Sequence, residues 1–171
     1  MLNTAALFNI MQNNRIVGYF LTAIRCYYGY SWAKAGWGKV TSDFDVVGFF
    51  NFFVLQDHSN VVFQAQRGEW GATIWQWFVE SIFIPLAPVL NVFIPWAELI
   101  LGVILILGLF RVWACVFAIF LNLTFIMSGI VWPGVHFVFF QTLIAASRNK
   151  HEICVDNALV ARKTLSQSTQ N

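Results

Sequence analysis

Charge is scarce in this sequence. Asp, Glu, Lys and Arg make up 11% of its 171 residues, against the ~25% usual in soluble domains, and none occurs between Val112 and Ser147. The formal net charge is +2, with no cluster of Lys and Arg, and this excludes a nucleic-acid partner, because phosphate binding needs clustered cations. Only three cysteines are present, Cys26, Cys115 and Cys154, and no CxxC. A disulfide framework and a zinc knuckle are therefore unsupported, and the three read as free thiols, with Cys26 and Cys115 facing bundle or lipid and Cys154 in a polar tail. His136 has no second histidine at its depth to complete a haem pair, so it reads as a satisfied interfacial histidine; His58, beside Asp57, reads as solvated. Residues Met1 to Asn14 lack a basic n-region and a cleavage pattern, which argues against a removed signal peptide. Their weak apolar stripe (Leu7, Phe8, Ile10, Met11) predicts a short helix on a membrane surface.

Apolar residues fill the space that charge leaves. The chain is 58% hydrophobic and 18% aromatic, more than one soluble core of this length can hide, and the excess is gathered in runs. As one straight helix Val112 to Ser147 would be roughly 54 Å long at ~1.5 Å per residue, nearly twice the ~30 Å of bilayer hydrocarbon. It must fold back, and Ser128, Gly129, Pro133 and Gly134 mark the break. Ile16 to Gly36 is long enough for a span, as is Leu86 to Leu109, in which Pro95 predicts a kink. Between them, Trp37 to Ile84 forms a long connection with two short apolar pieces, Val46–Leu55 and Ile74–Ile84, expected to be interfacial or re-entrant. Trp32, Trp37, Trp70, Trp75, Trp77 and Trp132 are expected to form an aromatic belt. Gly29 and Ala33 suit close approach by another helix. Asp156 to Lys163 reads as a surface helix before a disordered Ser/Thr/Gln/Asn tail.

These elements make an all-α protein, an integral membrane four-helix bundle with a long first outer connection containing interfacial helices. Residues 1–150 form the transmembrane domain and 151–171 a polar cytoplasmic tail. Four spans place Arg15, Arg111, Arg148, Lys150, Arg162 and Lys163 on one side and Lys34, Lys39 and Arg67 on the other. The excess of positive charge puts both termini in the cytoplasm of a multi-pass plasma-membrane protein. A five-span arrangement using Ile74–Leu90 satisfies the charge rule better still, but Glu80, Pro85, Pro88 and Asn91 make a poor membrane helix.

Two charges fall near the middle of their helices, Arg25 and Glu98. A lone ionised side chain at that depth costs at least ~2.5 kcal/mol on insertion scales, so the two are expected to meet as an ion pair. The pair either holds two helices together or lines a polar pocket for a quinone headgroup or an anion. Asn122 either joins that pocket or makes a helix-to-helix hydrogen bond. Lys39 reads as an anchor for the end of its helix at the headgroups.

The stretch RCYYGYSWAKAGWGKV (Arg25 to Val40) resembles the opening signature of the DoxX family of small bacterial membrane proteins. The likeness continues through WQWFVESIFIP (Trp75 to Pro85), IPWAELILGVILILGLF (Ile94 to Phe110) and LNLTF (Leu121 to Phe125), and so covers most of residues 20–147. The resemblance implies four transmembrane helices, cytoplasmic termini and a long first outer connection. Some members resemble the membrane subunit of thiosulfate:quinone oxidoreductase, and others are linked to complexes handling thiol and oxidative stress. The function this implies is a quinone-linked redox subunit or accessory acting on small sulfur compounds or thiols, with Arg25, Glu98, Asn122 and Lys39 as the binding residues and quinone as the cofactor. Electron transfer would then depend on that quinone or on an oxidoreductase partner subunit. Two other readings stand beside it: a membrane scaffold that docks a soluble oxidoreductase on the basic tail from Arg148 to Lys163, and a small transporter component, suggested by mid-depth charge and Pro95. Oligomers are compatible with all three.

Overall fold

The charge-free stretch does fold back, at Ser128 to Ile130. In the computed structural model, which describes residues 9–10, 12–55, 70–147 and 149–168, the turn is closed by Gly129, whose φ of 93° lies in the left-handed region. There the Gly129 N–H donates to Ile126 O at 2.8 Å and the Ile130 N–H to Phe125 O at 2.9 Å. Pro133 and Gly134 fall in the first turn of the returning helix instead of in the break. Proline is tolerated there because the first N–H groups of a helix have no intrahelical partner.

No strand occurs among the described residues. Four long helices carry the fold: α1 (Arg15–Val40), α4 (Ala87–Leu107), α5 (Arg111–Met127) and α6 (Val131–Ser147). Two short helices join the first pair, α2 (Val46–Phe50) and α3 (Trp70–Phe78), each running on into a π-helical turn, at Asn51–Leu55 and Val79–Phe83. A last helix, α7 (Val155–Ser168), follows the bundle. By length and composition α4 is the one helix among the described residues able to cross a membrane. Helices α5 and α6, 17 residues each, and Val46–Leu55 are shorter apolar helices.

α1 and α4 pack antiparallel, backbone against backbone. Gly29 lies against Ile106 and Gly102 O, Ala33 against Gly102, and Gly36 against Leu99 and Pro95 O. A methyl group on Gly36 or Gly102 would collide with main-chain atoms, so the small residues set how near the helices come. α6 closes on α1 through Tyr28, whose ring lies 4.7 Å from that of Phe137 and 5.3 Å from that of Phe140. The core between the four helices includes Trp32, Leu101, Leu105, Cys115, Ala118 and Ile144. A second core forms where the short helices meet α4, around Val46, Phe50, Val54, Val79 and Ala87.

The far end of the bundle is sealed by the segment that follows α6. Asn149 Nδ2 donates to Asn14 O at 3.0 Å, and the Lys150 N–H to Gln12 O at 3.1 Å, so the start of α1 and the end of α6 lie side by side. The expected disordered tail is corrected in part. Helix continues through Thr164 to Ser168, and Glu152 and Cys154 are buried, so the beginning of the 151–171 segment belongs to the bundle. Met1 to Phe8, Met11, Asp57, His58, Arg67, Glu69, Arg148 and the side chains of Trp70 and Lys163 lie outside what is described.

Candidate functional site: a lysine and glutamate in an aromatic cavity

Arg25 and Glu98 do not meet. Gly36, not Arg25, is the α1 residue beside Leu99, and eleven residues separate the two, about 16 Å of helix. Arg25 instead reaches the C-terminal end of α4, where Nη1 donates to Leu105 O at 2.7 Å and Ile106 O at 3.2 Å, and Nη2 donates to Ile153 O at 2.5 Å. A cation at the carbonyl end of a helix is favourable because the last carbonyls lack the usual partner four residues on and carry the negative end of the dipole. Its acidic neighbour is Glu152, with Arg25 Nε 3.8 Å from Glu152 Oε1, and Arg111 pairs with Glu152 Oε2. Burial pushes the Glu152 carboxyl above its ordinary value, while Arg111 and then Arg25 pull it down. The same junction caps α5, since the Phe110 and Arg111 N–H groups donate to the Asp156 carboxylate at 3.0 and 2.9 Å. Gly108, with φ 69°, has the Arg25 guanidinium and Cys154 where a side chain would stand. Among the described residues, every polar contact of Arg25 is thus with this structural joint.

The other three predicted residues do come together. Lys39 turns inward from the last turn of α1 and pairs with Glu98 Oε1. Its ammonium lies 5.2 Å from the centre of the Phe44 ring and 5.1 Å from that of Phe125, close enough for a cation–π attraction to both. Asn122, on α5, donates to Ala118 O and Gln141 Oε1, both at 3.0 Å. Lys39, Glu98 and Asn122 all line one cavity of about 260 Å³, whose walls include Trp32, Phe49, Phe125 and Phe137. Phe49 is brought there by α2, which is capped by Asp45 and tied to α4 by the bond from Val46 N–H to Asn91 Oδ1 at 2.8 Å.

Two polar atoms of the cavity-lining residues have no hydrogen-bond partner among the described residues. Glu98, 1% exposed, leaves Oε2 unbonded, and Trp32, 4% exposed, leaves its indole N–H unbonded. Buried groups of this kind cost about 1–3 kcal/mol each when left unmet. Trp32 was expected in the aromatic belt and is corrected to a buried wall residue. Of the other expected belt residues, Trp37, Trp77 and Trp132 are exposed, whereas Trp75 is half-buried with its indole nitrogen unpaired. His136 is satisfied as expected, with Nδ1 3.0 Å from Trp132 O. The three cysteines are free, but Cys154 is buried instead of lying in a polar tail. No group of three His, Cys, Asp or Glu side chains placed to hold a metal occurs among the described residues.

Sequence reasoning missed Trp32, Glu152 and Asp156. The signal for Trp32 was its place with Gly29 and Gly36 at helical spacing on the face that packs inward. For the two acids it was that Arg25 and Arg111 had no other carboxylate near the same end of the bundle. No protein family, curated protein or solved structure matches this chain.

Proposed function

We propose that this chain is a DoxX-type membrane protein, in which α1, α4, α5 and α6 cross the bilayer with both termini in the cytoplasm, and that its cavity receives a quinone headgroup. It then serves as a quinone-linked redox subunit, working with an oxidoreductase partner subunit on small sulfur compounds or thiols. The observation that carries the ligand assignment is the convergence of Lys39, Glu98 and Asn122 on one aromatic-walled cavity.

The membrane placement is supported by the distribution of polarity. Arg25, Glu98, Asn122, Gln141 and Glu152 are buried, whereas Val89, Val92, Trp113, Phe120 and Phe139 are exposed. Large apolar residues outside and charged ones within suit lipid as the surrounding solvent, since a charge in lipid must face the bundle interior.

Charge balance favours a neutral occupant. Lys39 and Glu98 neutralise each other, and an inorganic sulfur anion brought between aromatic walls would carry a charge with no counterion left to meet it. A quinone ring is flat, uncharged and able to accept a hydrogen bond from Lys39. Such a ring would carry two electrons and two protons through the membrane. Against the transporter reading, Leu101, Leu105, Ala118 and Ile144 belong to one buried apolar cluster in the core.

The test is solvent extraction. Protein purified from membranes in mild detergent should release quinone into hexane in a fixed ratio to protein, and a Lys39→Met, Glu98→Leu double variant should release little. Equal amounts from both, or none from the wild type, would remove the quinone assignment.

A further inference from the structure

We propose that the ligand enters the cavity sideways from the bilayer, through the seam between α1 and α6, and carries a hydrocarbon tail that stays in that seam. This rests on the quinone reading and adds the chemical class of ligand: a ring on an apolar tail, drawn from lipid and not from water.

Size gives the first argument. At about 260 Å³ the cavity is smaller than the ~300–1,000 Å³ of pockets that take in a whole drug-sized ligand. It has room for a ring, so a longer molecule must continue through an opening. Which side is filled gives the second. In the cleft between α4 and α5, Val46, Phe49 and Phe50 of α2 meet Ile94, Leu121 and Phe125, and only about 40 Å³ of void remains. Toward α1 and α6 the lining is small instead: Ser31 and Ala35 from α1 and Pro133 from α6, with Ala35 and Pro133 exposed. One turn deeper the same seam is shut by the Tyr28 ring against Phe137 and Phe140. The gap is therefore a doorway with Tyr28 as its threshold.

Polarity and depth suit a tail. Ser31 Oγ donates back to Tyr27 O at 2.9 Å, so its hydroxyl is spent on its own helix and the doorway is lined by methyl and methylene groups. Along α1, Ala35 and Ser31 lie about 6 and 12 Å from Lys39. A ring beside Lys39, in the last turn of α1, thus has its opening on the side nearer the middle of the bilayer. An amphiphile in lipid already points that way, polar head outward and tail inward. A second apolar recess, of about 440 Å³, lies between α4 and α5 with Ala97, Leu101 and Trp113 among its walls. None of its described lining residues also lines the cavity, so it is a separate recess and not the continuation of the ring site.

The test uses the full chain in lipid nanodiscs and one dimethoxy-methyl-benzoquinone ring, bare or bearing a decyl tail. Bound quinone is extracted after desalting, and the amount held by empty discs is subtracted. Ala35→Phe places a bulky side chain in the doorway. It should weaken the tailed ring at least about tenfold and the bare ring by no more than about twofold, since only the tail is crowded. Ala97→Phe, in the separate recess, should change neither. A readout that needs no variant is photolabelling of the wild type with the same ring on a diazirine-bearing tail, which should mark α1 and α6 peptides. An Ala35→Phe protein that binds the tailed ring like the wild type, one that loses both rings equally, or label on α4 and α5 instead, overturns the entrance while leaving a quinone site. Binding of neither ring by the wild type overturns the quinone reading and this inference with it.

Discussion

Lys39 and Glu98 are joined across α1 and α4 with unequal access to water: the lysine side chain is 25% exposed and the glutamate 1%. The two halves of the pair should therefore respond differently to loss of the partner. A stranded Lys39 can extend its stem and carry its ammonium outward, whereas a stranded Glu98 stays where it is.

Lys39→Met should accordingly cost about 3–5 kcal/mol, the usual penalty for an uncompensated buried charge, and Glu98→Leu clearly less. The double variant should recover most of the Lys39→Met loss. Unfolding in detergent followed by circular dichroism measures all three. Equal losses in the two single variants would mean that burial is not what governs the pair.

The α1–α4 crossing makes a second prediction. At Gly102 even a methyl group meets the Ala33 main chain, whereas Gly38 has open space around its Cβ position. Gly102→Ala should lose at least about 1–3 kcal/mol, the usual cost of overpacking, because backbone cannot give way as a side chain can. Gly38→Ala should be neutral or gain up to about 1 kcal/mol from helix propensity. Comparable melting temperatures for the two variants would contradict a packing limit set by main-chain contact.

The four long helices and the turn at Ser128 to Ile130 were legible because they are written in local pattern: apolar runs, their lengths and the glycine between them. Gly29 and Ala33 also announced a close neighbour. What the pattern could not supply was register. Arg25 and Glu98 each lie near the middle of their own helix, and equal depth looked like contact. Yet sliding α1 along α4 by three turns keeps every apolar residue apolar and changes which charges face each other. The glycine crossing fixes that offset, bringing Lys39 to Glu98 and sending Arg25 to the end of α4. The partners of Arg25 and Arg111 lie after α6, in a stretch whose composition reads as tail, so long-range pairing hid Glu152 and Asp156.

Arg25 provides the third prediction, because its fork spans carbonyls from two separate segments, Leu105 and Ile106 in α4 and Ile153 beyond α6. Lysine keeps the charge but cannot reach both at once. Arg25→Lys should lower stability by about 1–3 kcal/mol, in the range for hydrogen bonds to a charged group, and leave the quinone retained per folded molecule unchanged. Loss of quinone from folded Arg25→Lys protein would return Arg25 to the binding site.

The fourth prediction concerns pH and the Glu152 joint. Burial raises the Glu152 carboxyl above its ordinary 4.5 and Arg111 opposes that rise. A carboxyl raised on folding holds its proton in the folded state where the unfolded chain has released it. Its stabilising contribution is complete below about 4.5 and fades as pH climbs through the folded value. In Arg111→Met the opposing charge is gone, the folded value moves higher, and the window widens upward. The variant should then lose stability progressively as pH rises above about 4.5, over a wider range than the wild type. Adding Glu152→Gln removes the titrating group and should flatten the profile. A slope in Arg111→Met that survives Glu152→Gln would assign the titration to a different residue.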